Sequence, residues 1–399
     1  MSATHTIDST AAASPVLYLA FELGNDSWKL AFTIGAAQKP RIRGIAAGDL
    51  EALKREISEA KRRFRLAETT PVVSCYEAGR DGFWLHRFLA SQKIGNLVVD
   101  ASSIEVNRRQ RRAKSDNIDA TKLVAMLIRW CNGEQKLWSA VQVPSAEDEA
   151  RRQLSRELIA LKTERTAHIN RIKGLLASVG LKDAVDVGLA DRLGELRLWD
   201  GSPVPAALQE RIKRELERWQ LVNTQIQALE NQRAREIRDP KTPQGEQVRL
   251  LLNLKGIGEN GAWLLVRELF GWRQIRNRRE LASLAGLTPT PYNSGGSRRE
   301  QGISKAGSKR VRWIMIELAW CWLRYQPNSE LSRWYARRFA GENTRLRKIG
   351  IVALARKLLV ALWKYLETGG VPPGAKLKNE TGGPRQPWEA ESTVNGTGV

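Results

Sequence analysis

The chain has 399 residues, 42% of them hydrophobic, and carries 65 Lys and Arg against 43 Asp and Glu, for a formal net charge of +22 and a pI near 10.3. So strong a positive balance points to a polyanionic partner, because Lys and Arg gain free energy by displacing the counterions condensed on phosphates. No apolar run reaches the roughly 18 residues of a membrane span, and residues 1–15 lack the apolar core of a signal peptide, so a soluble, cytoplasmic protein with no membrane partner is expected.

Residues 1–15 read as a polar, disordered leader. Residues 16–34 read as two apolar strands joined by Gly24-Asn25-Asp26, a β-hairpin. A helix over 50–64, a strand over 72–76, a helix over 82–91, a strand over 96–100 and a helix from Asp116 to Trp130 follow. Alternation of this kind predicts an α/β domain with a partly parallel sheet over residues 16–145. Leu154, Leu158, Leu161, Ile169, Ile172, Leu176 and Val179, and later Leu208, Ile212, Leu216, Trp219, Val222, Ile226 and Leu229, recur mostly three or four apart. That spacing predicts two long amphipathic helices, an antiparallel helical hairpin over 146–238. Asp239-Pro-Lys-Thr-Pro-Gln-Gly reads as a linker into a mostly helical region over 239–368, and residues 369–399 as a disordered tail.

Cys75, Cys131 and Cys321 are odd in number and widely spaced, which excludes a disulfide framework and a thiolate zinc site. His5, His86 and His168 are the complete histidine supply, and packing roles suit the latter two better than Ser-His-Asp or His-metal chemistry. Carboxylates must therefore do any metal chemistry. Glu22 and Glu77 fall at the C-terminal ends of predicted strands, where open α/β sheets present their sites. Asp116 and Asp119, three apart at a helix start, share one face. Together the four acids suit Mg²⁺, which takes hard oxygen ligands, although Asp116 and Asp119 equally suit helix capping and the helix dipole. Arg108, Arg109, Arg111, Arg112 and Lys114 run directly into that pair, positioned to hold a phosphate backbone beside it or, more plainly, to face solvent.

Gly256-Ile-Gly258-Glu-Asn-Gly matches a dinucleotide fingerprint but lacks a strand–helix–strand context, so no nucleotide cofactor is implied. The same turn suits a helix-hairpin-helix, in which Gly256 and Gly258 offer backbone N–H groups to a DNA phosphate. Residues 292–307 form a serine-rich, glycine-hinged loop with Arg298, Arg299 and Lys305 as phosphate contacts. Ser294, before Gly295-Gly296, is the leading nucleophile candidate, with Ser297 and Ser304 competing, although a loop serine is more often a turn former. Trp313, Trp320 and Trp322 read as core packing rather than base stacking.

From about Leu17 to Leu366 the chain resembles the DEDD transposases of bacterial insertion sequences, the group that includes pilin-gene DNA invertases and bridge-RNA-guided recombinases. The resemblance is carried by the strand ending at Glu22, Cys-Tyr-Glu77-Ala-Gly, Lys-Ser-Asp116-Asn-Ile-Asp119-Ala, Gly-Ile-Gly, Leu-Ala-Gly-Leu-Thr-Pro, Ser294-Gly-Gly and Gly-Ile-Ser-Lys-Ala-Gly. It implies an RNase H-like, junction-resolvase-type N-terminal domain, an antiparallel coiled-coil arm and a C-terminal transposase domain. It further implies that Glu22, Glu77, Asp116 and Asp119 bind Mg²⁺ and that Ser294 attacks DNA to form a phosphoserine. Element ends and target DNA, a structured guide RNA and a homodimer or homotetramer are the partners so implied. Glu22 departs from the family pattern, which usually has Asp there; Asp26 is a poorer substitute. Alternatives are a metal-dependent nuclease or Holliday-junction resolvase that only hydrolyses DNA, and a non-enzymatic nucleic-acid-binding protein.

Overall fold

The structure is a computed structural model that describes residues 15–79, 82–104, 116–294 and 297–378, with the backbone alone for Asp116 and residues 292–301. The chain divides into two compact units, Met1–Pro144 and Ser145–Val399.

The first unit is built on a five-stranded mixed sheet in the order β3-β2-β1-β4-β5. Strand β1 (Leu17–Leu23) turns back into β2 (Ser27–Thr33), which pairs antiparallel with β3 (Arg41–Ala46). Helix α1 (Leu50–Arg63) then carries the chain over to β4 (Val72–Glu77), parallel to β1, and α2 (Trp84–Ser91) leads to β5 (Gly95–Val99), parallel to β4. Period-two alternation gives the sheet two apolar faces. Leu17, Leu19, Phe21, Tyr76 and Val98 pack on α1 and α2, while Ala20, Ala31, Cys75 and Val99 pack on α3 (Asp116–Cys131) through Ala120, Leu123, Val124 and Leu127. Strand β3 has no counterpart among the sequence expectations. Its Arg-Ile-Arg-Gly-Ile-Ala lacks an apolar run because it is an edge strand, and Arg41 and Arg43 lie 2.9 and 3.6 Å from Glu56 of α1.

In the second unit α4 (Ala146–Ala177) and α6 (Ala206–Arg238) run side by side. Leu158 and Leu161 meet Val222 and Ile226, whereas Ile172 and Leu176, farther along α4, meet Ile212 and Leu216, earlier on α6, which makes the pair antiparallel. The short α5 (Leu189–Arg192) fills the reversal. Residues 239–242 are a short non-helical connection, and Pro243 opens α7 (Pro243–Leu252) with Thr242 as its cap, so the expected linker is partly helix. Helices α8 (Glu259–Leu265), α9 (Arg278–Leu284), α10 (Lys309–Tyr325), α11 (Glu330–Phe339) and α12 (Thr344–Thr368) enclose a core around Trp263, Leu265, Met315, Trp322, Leu358 and Leu359. A π-helical turn, Val266–Phe270, extends α8. Buried ions fasten the long pair to this turn: Arg156 makes two bonds of 2.8 and 3.0 Å to Glu268, and Arg267 donates to Glu236 at 3.0 Å.

The tail expectation fails at residues 370–378. Lys255 donates its N–H to Lys376 O (3.1 Å), Lys378 to Asn253 O (2.7 Å), and Ala375 and Leu377 pack on the core. Backbone pairing holds this segment where side-chain periodicity gave no signal; residues 379–399 lie outside the described residues.

Gly286 adopts φ +64°, and a side chain there would collide with the Ala306 carbonyl and the Arg312 guanidinium. Gly180 has φ +78° with open space around it. Gly180→Ala should therefore cost only the left-handed backbone penalty, about 1–2 kcal/mol, and Gly286→Ala distinctly more. Thermal melts of the two variants followed by circular dichroism check this ranking; equal midpoints would contradict it.

Candidate active site

Each acid predicted for the metal site belongs to the first unit. Phe21 and Tyr76 are the last residues paired between β1 and β4, so Glu22 and Glu77 stand one step further along the same two parallel strands. The alternation that turns Ala20 and Cys75 toward α3 turns Glu22 and Glu77 the same way. Glu22 is half-buried and Glu77 exposed. Helix α3 runs back along these strands. Its last residue, Cys131, lies beside Tyr18 at the start of β1, and the Leu123 carbonyl accepts from the Cys75 thiol at 3.8 Å in mid-sheet. The first turn of α3 therefore stands at the edge where β1 and β4 end, and Asp119 adjoins Ala120, which is fully buried against the sheet.

Asp119 is 29% exposed and lies 3.8 Å from the Lys122 ammonium. Among the described residues no three His, Cys, Asp or Glu side chains stand close enough to hold a metal. Asp116, whose side chain is not described, begins α3, and the basic run Arg108, Arg109, Arg111, Arg112 and Lys114 lies outside the described residues. Sequence reasoning gave no role to two further groups at this site. Lys29 pairs directly with Glu22 in register, yet its ammonium lies over Gly44 of β3, where the missing side chain leaves room. Asp100 follows β5 at the same sheet edge and accepts from Ser102 N (2.9 Å) and Ser102 Oγ (2.8 Å), a turn cap. The signal for Asp100, strand-end position, emerges only once β4 and β5 are known to be parallel, and Lys29 is placed by the antiparallel register of β1 and β2.

Two cysteines and two histidines of the described residues are engaged in packing or hydrogen bonds. Burial pushes the Cys75 thiol far up and the Cys131 thiol up to about 11, so both stay protonated near neutrality. His86 Nδ1 bonds Asn96 Oδ1 at 2.8 Å, and His168 Nδ1 bonds Glu215 at 2.6 Å.

The serine-rich segment is a hairpin rather than an irregular loop. Strand β6 (Pro289–Ser294) pairs antiparallel with β7 (Ser297–Ile303), and Ser294 opposite Ser297 is the last pair before the tip. The base of the hairpin is locked by two of the motifs that drew notice in the sequence. Ser304 donates its N–H to Thr288 O (2.8 Å), Lys305 to Gly286 O (3.2 Å) and Ser308 to Leu284 O (2.8 Å). Close approach of this kind demands glycine at Gly286 and Gly307, where a side chain would strike carbonyl oxygens. Arg312 then donates to Lys305 O at 3.0 Å, and Lys305 itself takes a left-handed φ of 57° with its side chain exposed. Arg298 and Arg299 are on β7 beside the tip.

Gly256 (φ +83°) packs against α10: a side-chain carbon there would lie 3.2 Å from the Cys321 carbonyl. The Lys378 ammonium caps Ile257 O at 2.9 Å, whereas Gly258 and the start of α8 stay exposed. Trp322 is buried as expected, with its indole N–H on Ser329 Oγ at 2.9 Å. Trp313 and Trp320 depart from expectation, being 50% and 44% exposed.

Residues 248–333 match the family model for transposases of the IS116/IS110/IS902 family, a span that takes in the Gly256 turn, the serine hairpin and α10. The chain is 42% identical to a protein of Sinorhizobium fredii named transposase y4rJ, over 91% of this chain and 94% of that one. It is 26% identical to a family 20 transposase of Pseudomonas aeruginosa over 83% and 94% of the two chains. It is 25% identical to the transposase for insertion sequence element IS1328 of Yersinia enterocolitica over 80% and 91%. Identity of 42% over nearly the full length of both chains, with the family match at residues 248–333, means that the chain belongs to the IS116/IS110/IS902 family of transposases.

Proposed function

We propose that this transposase cuts and rejoins DNA with a carboxylate-held Mg²⁺ in an RNase H-like first unit and with Ser294 of the second unit as nucleophile. The observation that carries it is the shared edge: Glu22 and Glu77 one step past the Phe21–Tyr76 pair, and the first turn of α3 returning to them. An antiparallel β1-β2-β3 meander followed by parallel β4 and β5 supports the junction-resolvase type of fold. The donor chemistry also fits, since Glu22, Glu77, Asp116 and Asp119 offer only hard carboxylate oxygens. In this reading the long helical hairpin is the coiled-coil arm.

Magnesium, when bound, supplies Lewis-acid stabilisation to the phosphoryl oxygens. The protein's own part is to aim the hydroxyl. Ser294 Oγ attacks phosphorus; the Oγ–P bond forms, the bond from phosphorus to the leaving sugar oxygen breaks, and the serine proton ends on that sugar hydroxyl. Attack by the hydroxyl of a second strand reverses each step. The ester conserves the phosphodiester energy, so rejoining needs no external supply. Arg298, Arg299 and Lys305 are suited to hold the phosphate, and Gly258 to offer an exposed backbone N–H. The basic run 108–114 would follow DNA or a structured guide RNA, in a homodimer or homotetramer.

Loss of a ligand should exceed the roughly 10- to 100-fold effect of removing a ligand's supporting partner. Glu77→Gln, Asp116→Asn and Asp119→Asn should each reduce excision from a reporter plasmid more than 100-fold at unchanged melting temperature. Full Mg²⁺-dependent excision in any of the three would remove that residue from the site.

Ser294→Ala deletes one oxygen at a hairpin tip, so it should spare stability and DNA binding but end strand exchange. A nicked DNA substrate incubated with the protein and denatured should give a DNA-linked band that this variant lacks. A band that persists in Ser294→Ala but vanishes with Ser297→Ala or Ser304→Ala would reassign the nucleophile; hydrolysis without any band would favour a resolvase.

A further inference from the structure

Several cations of this chain are paired: Arg192 bonds Asp183 and Asp186, Lys162 bonds Glu230 at 2.7 Å, and Arg156 bonds Glu268. The corner between α11 and α12 gathers cations that are not. Arg333, Arg337 and Arg338 on α11, and Arg345, Arg347 and Lys348 on α12, are exposed, and no carboxylate of the described residues lies within 4.0 Å of them. Six unneutralised cations on two adjoining helices form a surface for a polyanion.

Its shape is as specific as its charge. Gly341 to Ile349 are exposed without a break, whereas from Gly350 onward α12 is anchored by Ile351, Leu354, Ala355, Leu358 and Leu359. The absent side chain of Gly350 lets the Phe339 and Tyr335 rings close on the helix, and the Tyr335 hydroxyl donates to Arg347 O at 3.3 Å. Asn343 caps the helix by accepting from Leu346 N at 3.0 Å. These contacts fix the corner, and Thr344–Ile349, about 9 Å of helix at 1.5 Å per residue, are exposed. A B-form major groove is about 8.5 Å deep and 12 Å wide and admits a helix, whereas the major groove of A-form RNA is too narrow. Leu346 and Ile349, 37% and 47% exposed, supply apolar contacts of the kind that meet thymine methyls.

We infer that the α11–α12 corner is a duplex-DNA contact in which the start of α12 enters a major groove with Arg345, Arg347 and Lys348 while Arg337 and Arg338 hold flanking phosphates. The inference builds on the reading of this transposase as a DNA-handling enzyme, and gives it a docking surface apart from the carboxylate edge and the serine hairpin.

Full-length protein is titrated by fluorescence anisotropy against a duplex DNA and a duplex RNA of the same sequence, across a salt series. The variant R345Q/R347Q/K348Q is compared with K54Q/R62Q/R129Q, which removes the same charge from cations paired with Glu51, Glu59 and Glu134. Each lost phosphate contact lowers the slope of log affinity against log salt by about 0.9, so the corner variant should lose about 2–3 in slope on DNA and the control less than about 1. R337Q/R338Q, on the other helix, should lose up to about 2 by the same arithmetic. Equal slopes in wild type and both corner variants, an equal loss in the control, or a loss confined to RNA would overturn the inference while leaving the transposase reading intact. Wild-type protein that binds no duplex DNA would overturn both.

Discussion

Parallel hydrogen bonding between β1 and β4 is the constraint on which the candidate chemistry depends. Two parallel strands in register end at the same edge, so Glu22 and Glu77 come to one place although 54 residues separate them in sequence. A parallel pair also requires a crossover, here α1. The small residues Ala20, Ala31 and Cys75 on the opposite face leave room for α3 to lie close, and Ala120 fills that contact without exposure. Acidic side chains at such an edge repel one another in the absence of a cation. That electrostatic cost is tolerated at an exposed sheet edge, where water screens it, and would not be in either apolar layer.

The second unit carries the serine hairpin, whose order has a different origin. A two-stranded hairpin is marginal in isolation, and β6–β7 is mostly polar. Its base gains order from backbone bonds to the α9–β6 turn and from Arg312, which ties the Lys305 carbonyl to the Ala285 carbonyl. Gly286 and Gly307 permit that approach. The hairpin is thus held at its base on the main core.

Much of this was legible in the residues. Period-two alternation located β1, β2, β4 and β5, and the three-to-four spacing located α4, α6 and most of the core-facing positions. The carboxylates were legible through their motifs and strand ends, but the register that sets Glu22 beside Glu77 and the return of α3 were not, because both are long-range consequences of packing. Strand β3 hid because two arginines interrupt it; they answer to Glu56 on a neighbouring helix, a partner no local pattern reveals. Residues 370–378 hid for a related reason, since main-chain bonds to Asn253 and Lys255 order them. Trp313 and Trp320 show the limit of composition: Trp322, two residues beyond Trp320, is fully buried, and only the rotation of α10 separates them.

In the proposed function Glu22, Glu77 and the Asp116–Asp119 turn surround one divalent metal ion. Fe²⁺ substituted for Mg²⁺, with ascorbate and peroxide, cuts the polypeptide only where the backbone lies beside the bound metal. The account predicts three cleavage clusters, around residues 22, 77 and 116–119, all suppressed together by excess Mg²⁺ and weakened together by Asp119→Asn. Cleavage at one of these segments alone, or cuts unaffected by Mg²⁺, would contradict it.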